Sequence, residues 1–224
     1  MVDGRGELVQ VEREIVECRA CPRLVAWREE VAKVKRASFA HEEYWGRPIP
    51  GFGDPEARIA VVGLAPAAHG GNRTGRIFTG DRSGDWLFGS MHRAGLANQP
   101  DSVSVDDGLA LRDVWVCSAV RCAPPANKPL PEERDRCMPY LVREMKALPS
   151  LRVVVVLGQF AYDVIARVFG LTGRPRFGHG VEIPRSDGVP AVICSYHPSQ
   201  QNTFTGKLTA PMLDAVFIRA ISLA

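Results

Sequence analysis

Two kinds of apolar pattern follow one another along the chain. Between residues 7 and 35, Leu8, Val11, Ile15, Leu24, Val25, Trp27, Val31 and Val34 recur at three- and four-residue steps, the stripe of an amphipathic helix, and the run CRACP interrupts it. Something other than a core is expected at that interruption. From 41 to 57 the stretch HEEYWGRPIPGFGDPEA is dense in Gly and Pro and reads as an ordered connector. Then come four short runs, 59–64, 114–120, 153–157 and 191–195, rich in apolar and β-branched residues, as in strands buried on both faces. Helical patterns separate them at about 86–94, 132–148 and 160–169, and a last helix is expected over about 208–223. Strand alternating with helix predicts an α/β fold with a doubly wound parallel sheet, in which ligands sit at the carboxyl ends of the strands.

Three of the four strands run into unusual loops: GLAPAAHGGNRTGRIFTGD after the first, VRCAPPANKPLP after the second and SYHPSQQNTFTGKLT after the fourth. The chemistry is expected there. Composition narrows the setting. A chain of 224 residues, 46% hydrophobic and 24% charged, suits one well-filled domain over 1–224 rather than a disordered segment. The segment MVDGRGELVQVEREI carries acids and bases where a signal peptide needs a continuous apolar run, and no run is long enough to span a bilayer, so the expectation is a cytoplasmic protein with no membrane partner. A formal charge of +3 permits a nucleic-acid face without demanding one.

Six cysteines in a reducing compartment suggest a metal site more than disulfides. Cys117 and Cys194 lie inside apolar strands and read as small buried thiols. Cys18 and Cys21 form a C-x-x-C step, and Cys122 and Cys137 follow at long range, a set that suits zinc, an iron-sulfur cluster, or free thiols beside a redox pair. Spacing does not choose among them.

The loops resemble those of the uracil-DNA glycosylase superfamily, and GLAPAAHGGNRTGRIFTGD with RCAPPANKP resembles its family 5, the iron-sulfur, broad-specificity branch. The likeness runs from CRACPRLVAWREEV through PIPGFGDPEARI to QNTFTGKLT, most of the chain. It implies a three-layer α/β/α fold with a four-stranded parallel sheet, and a structural 4Fe-4S cluster on Cys18, Cys21, Cys122 and Cys137. It further implies a monomer that flips uracil and other deaminated bases out of DNA and cleaves the base from its sugar in base excision repair, with hypoxanthine and xanthine accepted and ethenocytosine at the limit of the range.

Within that resemblance, Phe78 in GRIFTGD matches the ring on which the flipped base stacks, although taken alone it would be an ordinary core aromatic. Asn127 in PPANKP matches the amide that reads the base edge, where composition alone suggests a turn former. Gly63 and Ala65 fall beside the base. His197 in HPS resembles the histidine that faces the base oxygen O2 and steadies charge appearing as the bond breaks. Where other branches carry a carboxylate or amide in the first motif, this chain has Leu64 and Ala65, so the catalytic carboxylate is expected at Asp81, whose plain alternative is a helix N-cap. The small residues Ala67, Ala68, Gly70 and Gly71 suggest a roomy pocket. Gln200, Gln201 and Asn202 resemble groups that enter the minor groove and meet base edges or the widowed partner, with Phe204 as a wedge, and Arg73, Arg76, Lys128 and Lys207 are the basic residues expected to meet phosphates.

Two other classes stand beside this one. GGNRTG is similar to a phosphate-cradling loop, but the chain lacks both the GK[ST] ending of a P-loop and the G-x-G-x-x-G of a dinucleotide fold. A non-catalytic, metal-stabilised module binding damaged DNA would use the same Phe78 and Asn127. A branch that traps the sugar covalently on its HPS histidine would carry a long insertion between Gly75 and Asp81, which is missing here, so His197 is expected to act without becoming attached.

Overall fold

The computed structural model describes residues 4–224; Met1, Val2 and Asp3, and with them the first residues of the expected 1–224 domain, lie outside the described residues. Helices α1 (Gly4–Val16) and α2 (Pro22–Val34) come first, then strands β1 (Phe52–Gly53) and β2 (Ile59–Gly63), helices α3 (Gly71–Thr74) and α4 (Arg82–Arg93), and strand β3 (Val114–Ser118). After them follow α5 (Pro131–Ala147), β4 (Val153–Leu157), α6 (Gln159–Val168), β5 (Glu182–Ile183), β6 (Ala191–Ser195), α7 (Gln200–Phe204) and α8 (Ala210–Leu223).

The break read at CRACP is the gap between α1 and α2. Cys21 is the N-cap of α2 and Pro22 its first residue, where the missing N–H would have had no helical partner anyway. Leu8, Val11, Ile15, Leu24, Val25 and Val31 are buried as the stripe predicts. Trp27 and Val34 are not: both are exposed, so the stripe is narrower than the apolar pattern suggested.

The sheet has six strands in the order β1-β3-β2-β4-β6-β5. Its centre is the expected parallel set, β3, β2, β4 and β6. The structure corrects the count by adding β1, antiparallel to β3, and β5, antiparallel to β6. Each addition is two residues long, too short for a periodic pattern to register, and β1 comes from the Gly/Pro-rich connector. Such short caps shield the edges of the parallel centre.

Successive residues of a strand face opposite sides, and both sides here are covered. Ile59, Val61, Val116, Val155 and Ile193 pack with Leu87 and Phe88 of α4 and Leu213 and Phe217 of α8. Ala60, Val62, Cys117, Val156 and Cys194 pack with Leu141 of α5, Tyr162 of α6 and Leu8 of α1. The result is helices on both faces of a central sheet. Cys117 and Cys194 are fully buried within it. No helix among the described residues is long and apolar enough to cross a membrane. From β2 the chain steps outward to β3, returns past β2 to β4 and continues to β6, so the strand order reverses at β2, where a crevice opens at the strand ends.

Candidate functional site

That crevice is a pocket of about 580 Å³ whose lining comes from the loops after β2, β3 and β6. Ala65, Phe78, Asp81, Asn127, His197, Gln200 and Gln201 all reach it, together with Leu64, Ala67, Ile77, Arg82, Ser83, Ala126 and Ser199. Residues far apart in sequence thus converge in the way the loop motifs suggested.

Phe78 forms one wall. Its backbone has φ 55°, a left-handed conformation unusual for a bulky residue. Its ring lies against Gly63 at the end of β2, where an added Cβ would sit 2.6 Å from Phe78 Cζ. Gly63 is therefore the space that the ring occupies, and it backs the Phe78 ring instead of lining the pocket. The His197 ring lies beside that of Phe78, centroids 5.9 Å apart and planes tilted by 35°. Burial pushes the His197 imidazole down to about 4, so the ring is neutral at pH 7. Among the described residues neither ring nitrogen of His197 has a hydrogen-bond partner; its carbonyl accepts from Asn202 Nδ2 at 2.8 Å.

Asp81 holds two roles at once. Its Oδ1 accepts from the Ser83 and Gly84 amides at 2.9 and 3.1 Å, so it caps α4 as its plain alternative predicted. It also lines the pocket, and burial raises its carboxyl above the ordinary range despite those two amides. Gly70 lies behind it: a Cβ there would collide with Asp81 Oδ2. Of the small residues expected to widen the pocket, only Ala67 lines it with Ala65. Gly70 instead makes room for the carboxylate, and Gly71 packs near Ile49 and Pro66.

Asn127 sits opposite, in a short 3-10 turn (Pro125–Asn127), where Ala126 and Asn127 both take positive φ, 52° and 55°. Its side-chain amide is exposed and, among the described residues, bonded to nothing, so a donor and an acceptor face the cavity. Lys128 beside it is exposed.

The segment after His197 is a one-turn helix, α7, where the sequence suggested only a loop. Gln200 and Gln201 are exposed on the pocket rim. Asn202 departs from expectation: its amide nitrogen is held by the His197 carbonyl, so it fixes the histidine loop instead of presenting that donor to a base edge. Phe204 is 68% exposed, and the guanidinium of Arg82 lies 4.9 Å from its ring centre. Lys207 is exposed, with its ammonium 4.7 Å from the Tyr196 ring.

Two expected phosphate contacts are corrected. Arg73 is buried, paired with Glu42, and donates to the His69 and Gly80 carbonyls at 2.9 and 3.1 Å. Arg76 is buried too, bonded to Thr79 Oγ1 at 3.0 Å, Ser102 Oγ at 2.9 Å and Asp107 at 2.6 Å. Both are turned inward and hold the loop's shape. The sequence reading missed Arg82, exposed at the pocket mouth. It opens α4 directly after the Asp81 cap, a loop-to-helix junction that would have marked it.

Cys21, Cys122 and Cys137 are buried together with Leu24 and Val120, and Cys18 lies near enough to act electrostatically on Cys21 and Cys122. Burial pushes the Cys122 thiol up to about 11 and Cys137 to about 12. Arg28 NH1 donates to Cys122 Sγ at 2.9 Å. Among the described residues no group of three or more His, Cys, Asp or Glu is placed to hold a single metal ion. Three buried thiols, with a fourth near them and a cation against one sulfur, make a soft donor set.

Residues 50–220 match the Uracil DNA glycosylase superfamily. A type-5 uracil-DNA glycosylase of Mycobacterium bovis is 52% identical over 227 residues, covering 100% of this chain and 84% of that protein. One of Thermus thermophilus is 52% identical over 212 residues, 94% of this chain and 95% of its own. A type-4 uracil-DNA glycosylase of Archaeoglobus fulgidus is more distant, 32% identical over 196 residues, 86% of this chain and 81% of its own.

Proposed function

The chain belongs to the uracil-DNA glycosylase superfamily, and from that premise we propose that it is a type-5 uracil-DNA glycosylase that excises uracil and other deaminated bases from DNA and leaves an abasic site. The observation that carries this is one pocket lined at once by Phe78, Asp81, Asn127 and His197.

A base inside the duplex is out of reach, so it must first leave the stack. Phe78 offers the extruded base a ring face, and the free Asn127 amide offers its edge a donor and an acceptor. As the bond between C1′ and the base nitrogen breaks, the electron pair goes to the base, whose O2 gains negative charge, and the sugar becomes an oxocarbenium ion. Neutral His197 donates a hydrogen bond toward O2, an interaction that strengthens only as charge appears. The Asp81 carboxylate faces the cationic sugar, orients a water for attack at C1′ and takes up its proton. At the pocket mouth and beyond it, Arg82, Lys128 and Lys207 are exposed cations that meet phosphates, and Gln200, Gln201 and Phe204 enter the minor groove. Asn202 serves by holding His197.

Small side chains at Ala65 and Ala67 and a volume of about 580 Å³ support acceptance of bicyclic hypoxanthine and xanthine as well as uracil, with ethenocytosine at the limit. Cys18, Cys21, Cys122 and Cys137 would hold a structural 4Fe-4S cluster, which when bound ties α2 and α5 to the loop after β3 and supplies no step of hydrolysis. The protein acts as a monomer in the cytoplasm, on chromosomal DNA.

The test is a duplex oligonucleotide with a single uracil, incubated with the protein and then with alkali, which cuts only where a base has been lost. Strand cleavage at the uracil is expected. Binding without cleavage would make the protein a damage-recognition module instead. Repeating the assay with hypoxanthine and xanthine separates a broad enzyme from a uracil-only one.

A further inference from the structure

Six charged residues are buried among those described: Arg28, Arg73, Arg76, Arg121, Glu133 and Glu144. Five have a partner of opposite sign. Arg73 pairs with Glu42, Arg76 with Asp107, Arg121 with Glu144, and Glu133 with Arg23. Arg28, 2% exposed, has no carboxylate among the described residues. Its NH1 donates to Cys122 Sγ at 2.9 Å and its NH2 to the Cys18 carbonyl at 3.2 Å, while its Nε is buried without a partner. The neighbouring Glu29 makes its ion pair with Arg19 at the surface and feels Arg28 only as a lesser influence.

A guanidinium does not shed its proton, and an isolated charge in an apolar interior is heavily penalised unless a counter-charge meets it. A neutral thiol is a weak acceptor and carries no charge. A sulfur ligated to iron is a thiolate and can meet that charge, which a neutral thiol cannot. Arg121 is the contrast: as deeply buried and next to Cys122 in sequence, it has a carboxylate partner in Glu144.

We propose that Arg28 is a buried counter-charge of the four-cysteine centre, donating to the Cys122 sulfur and to the Cys18 carbonyl of the C-x-x-C turn, and thereby setting how firmly the cluster is retained and at what potential it is reduced. This rests on the cluster assigned above to Cys18, Cys21, Cys122 and Cys137. Arg28 is a positioning residue and touches no substrate.

The experiment compares wild type, Arg28→Met and Arg28→Lys as full chains. Iron and sulfide per chain, bleaching of the visible absorbance by an iron chelator, the reduction potential, and the Fe–S(Cys) stretching frequencies are read for each. Arg28→Met is expected to retain less iron and sulfide and to bleach faster. Its remaining cluster should have a more negative potential and shifted Fe–S(Cys) stretches, because a cation and a hydrogen bond to sulfur both favour the reduced form. Arg28→Lys, which keeps the charge, should load and bleach close to wild type. A loaded wild type with an Arg28→Met variant unchanged in all four readouts overturns the proposal and leaves the cluster standing. Should Arg28→Met fail to fold, Arg28→Lys decides: a folded, loaded protein supports the charge, and an unloaded or unfolded one refutes it. A wild type without iron and sulfide, or with zinc in their place, sinks the cluster and this proposal together.

Discussion

Asp81→Asn separates capping from charge, because asparagine caps a helix about as well as aspartate. The variant keeps an acceptor for the Ser83 and Gly84 amides, now at 2.9 and 3.1 Å from Oδ1. What it loses at the helix end is a charge–dipole contribution of about 0.3–1 kcal/mol, which in a chain of this size moves Tm by roughly 4 °C at most. At the pocket the loss is larger. A preorganised group aimed at charge that develops in the transition state is worth about 10²–10³ in rate, or about 2.7–4 kcal/mol. Single-turnover release of uracil from a duplex, read by alkaline cleavage, should therefore slow by about 10²-fold or more, while thermal melting and DNA affinity hardly change. Burial holds the carboxyl above its ordinary range, so the charged form is lost earlier on acidification than at an exposed aspartate. The wild-type rate should fall on that limb, and the limb should vanish in Asp81→Asn. A variant that melts and binds as wild type and releases uracil within about threefold of its rate, under 1 kcal/mol, would reduce Asp81 to a cap.

Further expectations concern charge and space. Arg76→Met leaves Asp107 buried without its cation and should destabilise the protein by about 3–5 kcal/mol, read by urea unfolding, with no change in the salt slope of DNA binding. Arg82→Ala should do the reverse, leaving stability within about 0.5 kcal/mol and flattening the log–log salt slope by about 1; a steep Arg76 effect on that slope, or none for Arg82, would contradict the assignment. His197 has its imidazole held down to about 4 against an ordinary 6.5, so the unfolded chain takes up a proton over that window and the folded chain does not. Stability should be lost as pH falls from 6.5 to 4, by about 3 kcal/mol, and His197→Gln should lose less in urea titrations across that range. Gly63→Ala places a methyl 2.6 Å from Phe78 Cζ; an overpacking cost of about 1–3 kcal/mol or a displaced ring with weakened uracil release should follow, and a variant wild type in both would refute the role of Gly63.

Much of the scaffold was legible because its signals are periodic. The parallel strands are continuous β-branched runs, and each lies within the residues the pattern marked. The edge strands β1 and β5 were not legible, since two residues carry no period and owe their conformation to the neighbours they pair with. The same limit explains α7, a single turn in a polar segment with no apolar stripe to announce it. Burial of charge was the hardest to read. Arg73, Arg76 and Arg82 share one loop and its continuation, and composition ranks them alike, yet the partners that bury the first two, Glu42, Ser102 and Asp107, come from distant segments. Arg28 lies on the buried stripe itself, between Leu24 and Val31, and only contact with Cys122 across 94 residues reveals what meets its charge there.

The site also concentrates backbone that the sequence gives little reason to expect. Among the described residues five non-glycine positions have positive φ, and three of them, Phe78, Ala126 and Asn127, line the pocket. Left-handed backbone at such residues is worth about 1–3 kcal/mol of strain each and persists only where the surroundings over-determine it. Here they do: Phe78 is held against Gly63 and beside His197, and the turn carrying Asn127 is closed by its amide donating to the Pro124 carbonyl at 3.1 Å. On the proposed function, a ring and a turn whose backbone is fixed before the base arrives leave little backbone reorganisation for when it does, so binding energy from the rest of the DNA goes into extruding the nucleotide instead of shaping the slot. Relaxing the strain with glycine at Ala126 should therefore leave the protein at least as stable and yet slower, the combination that distinguishes a preorganised site from a merely tolerated distortion.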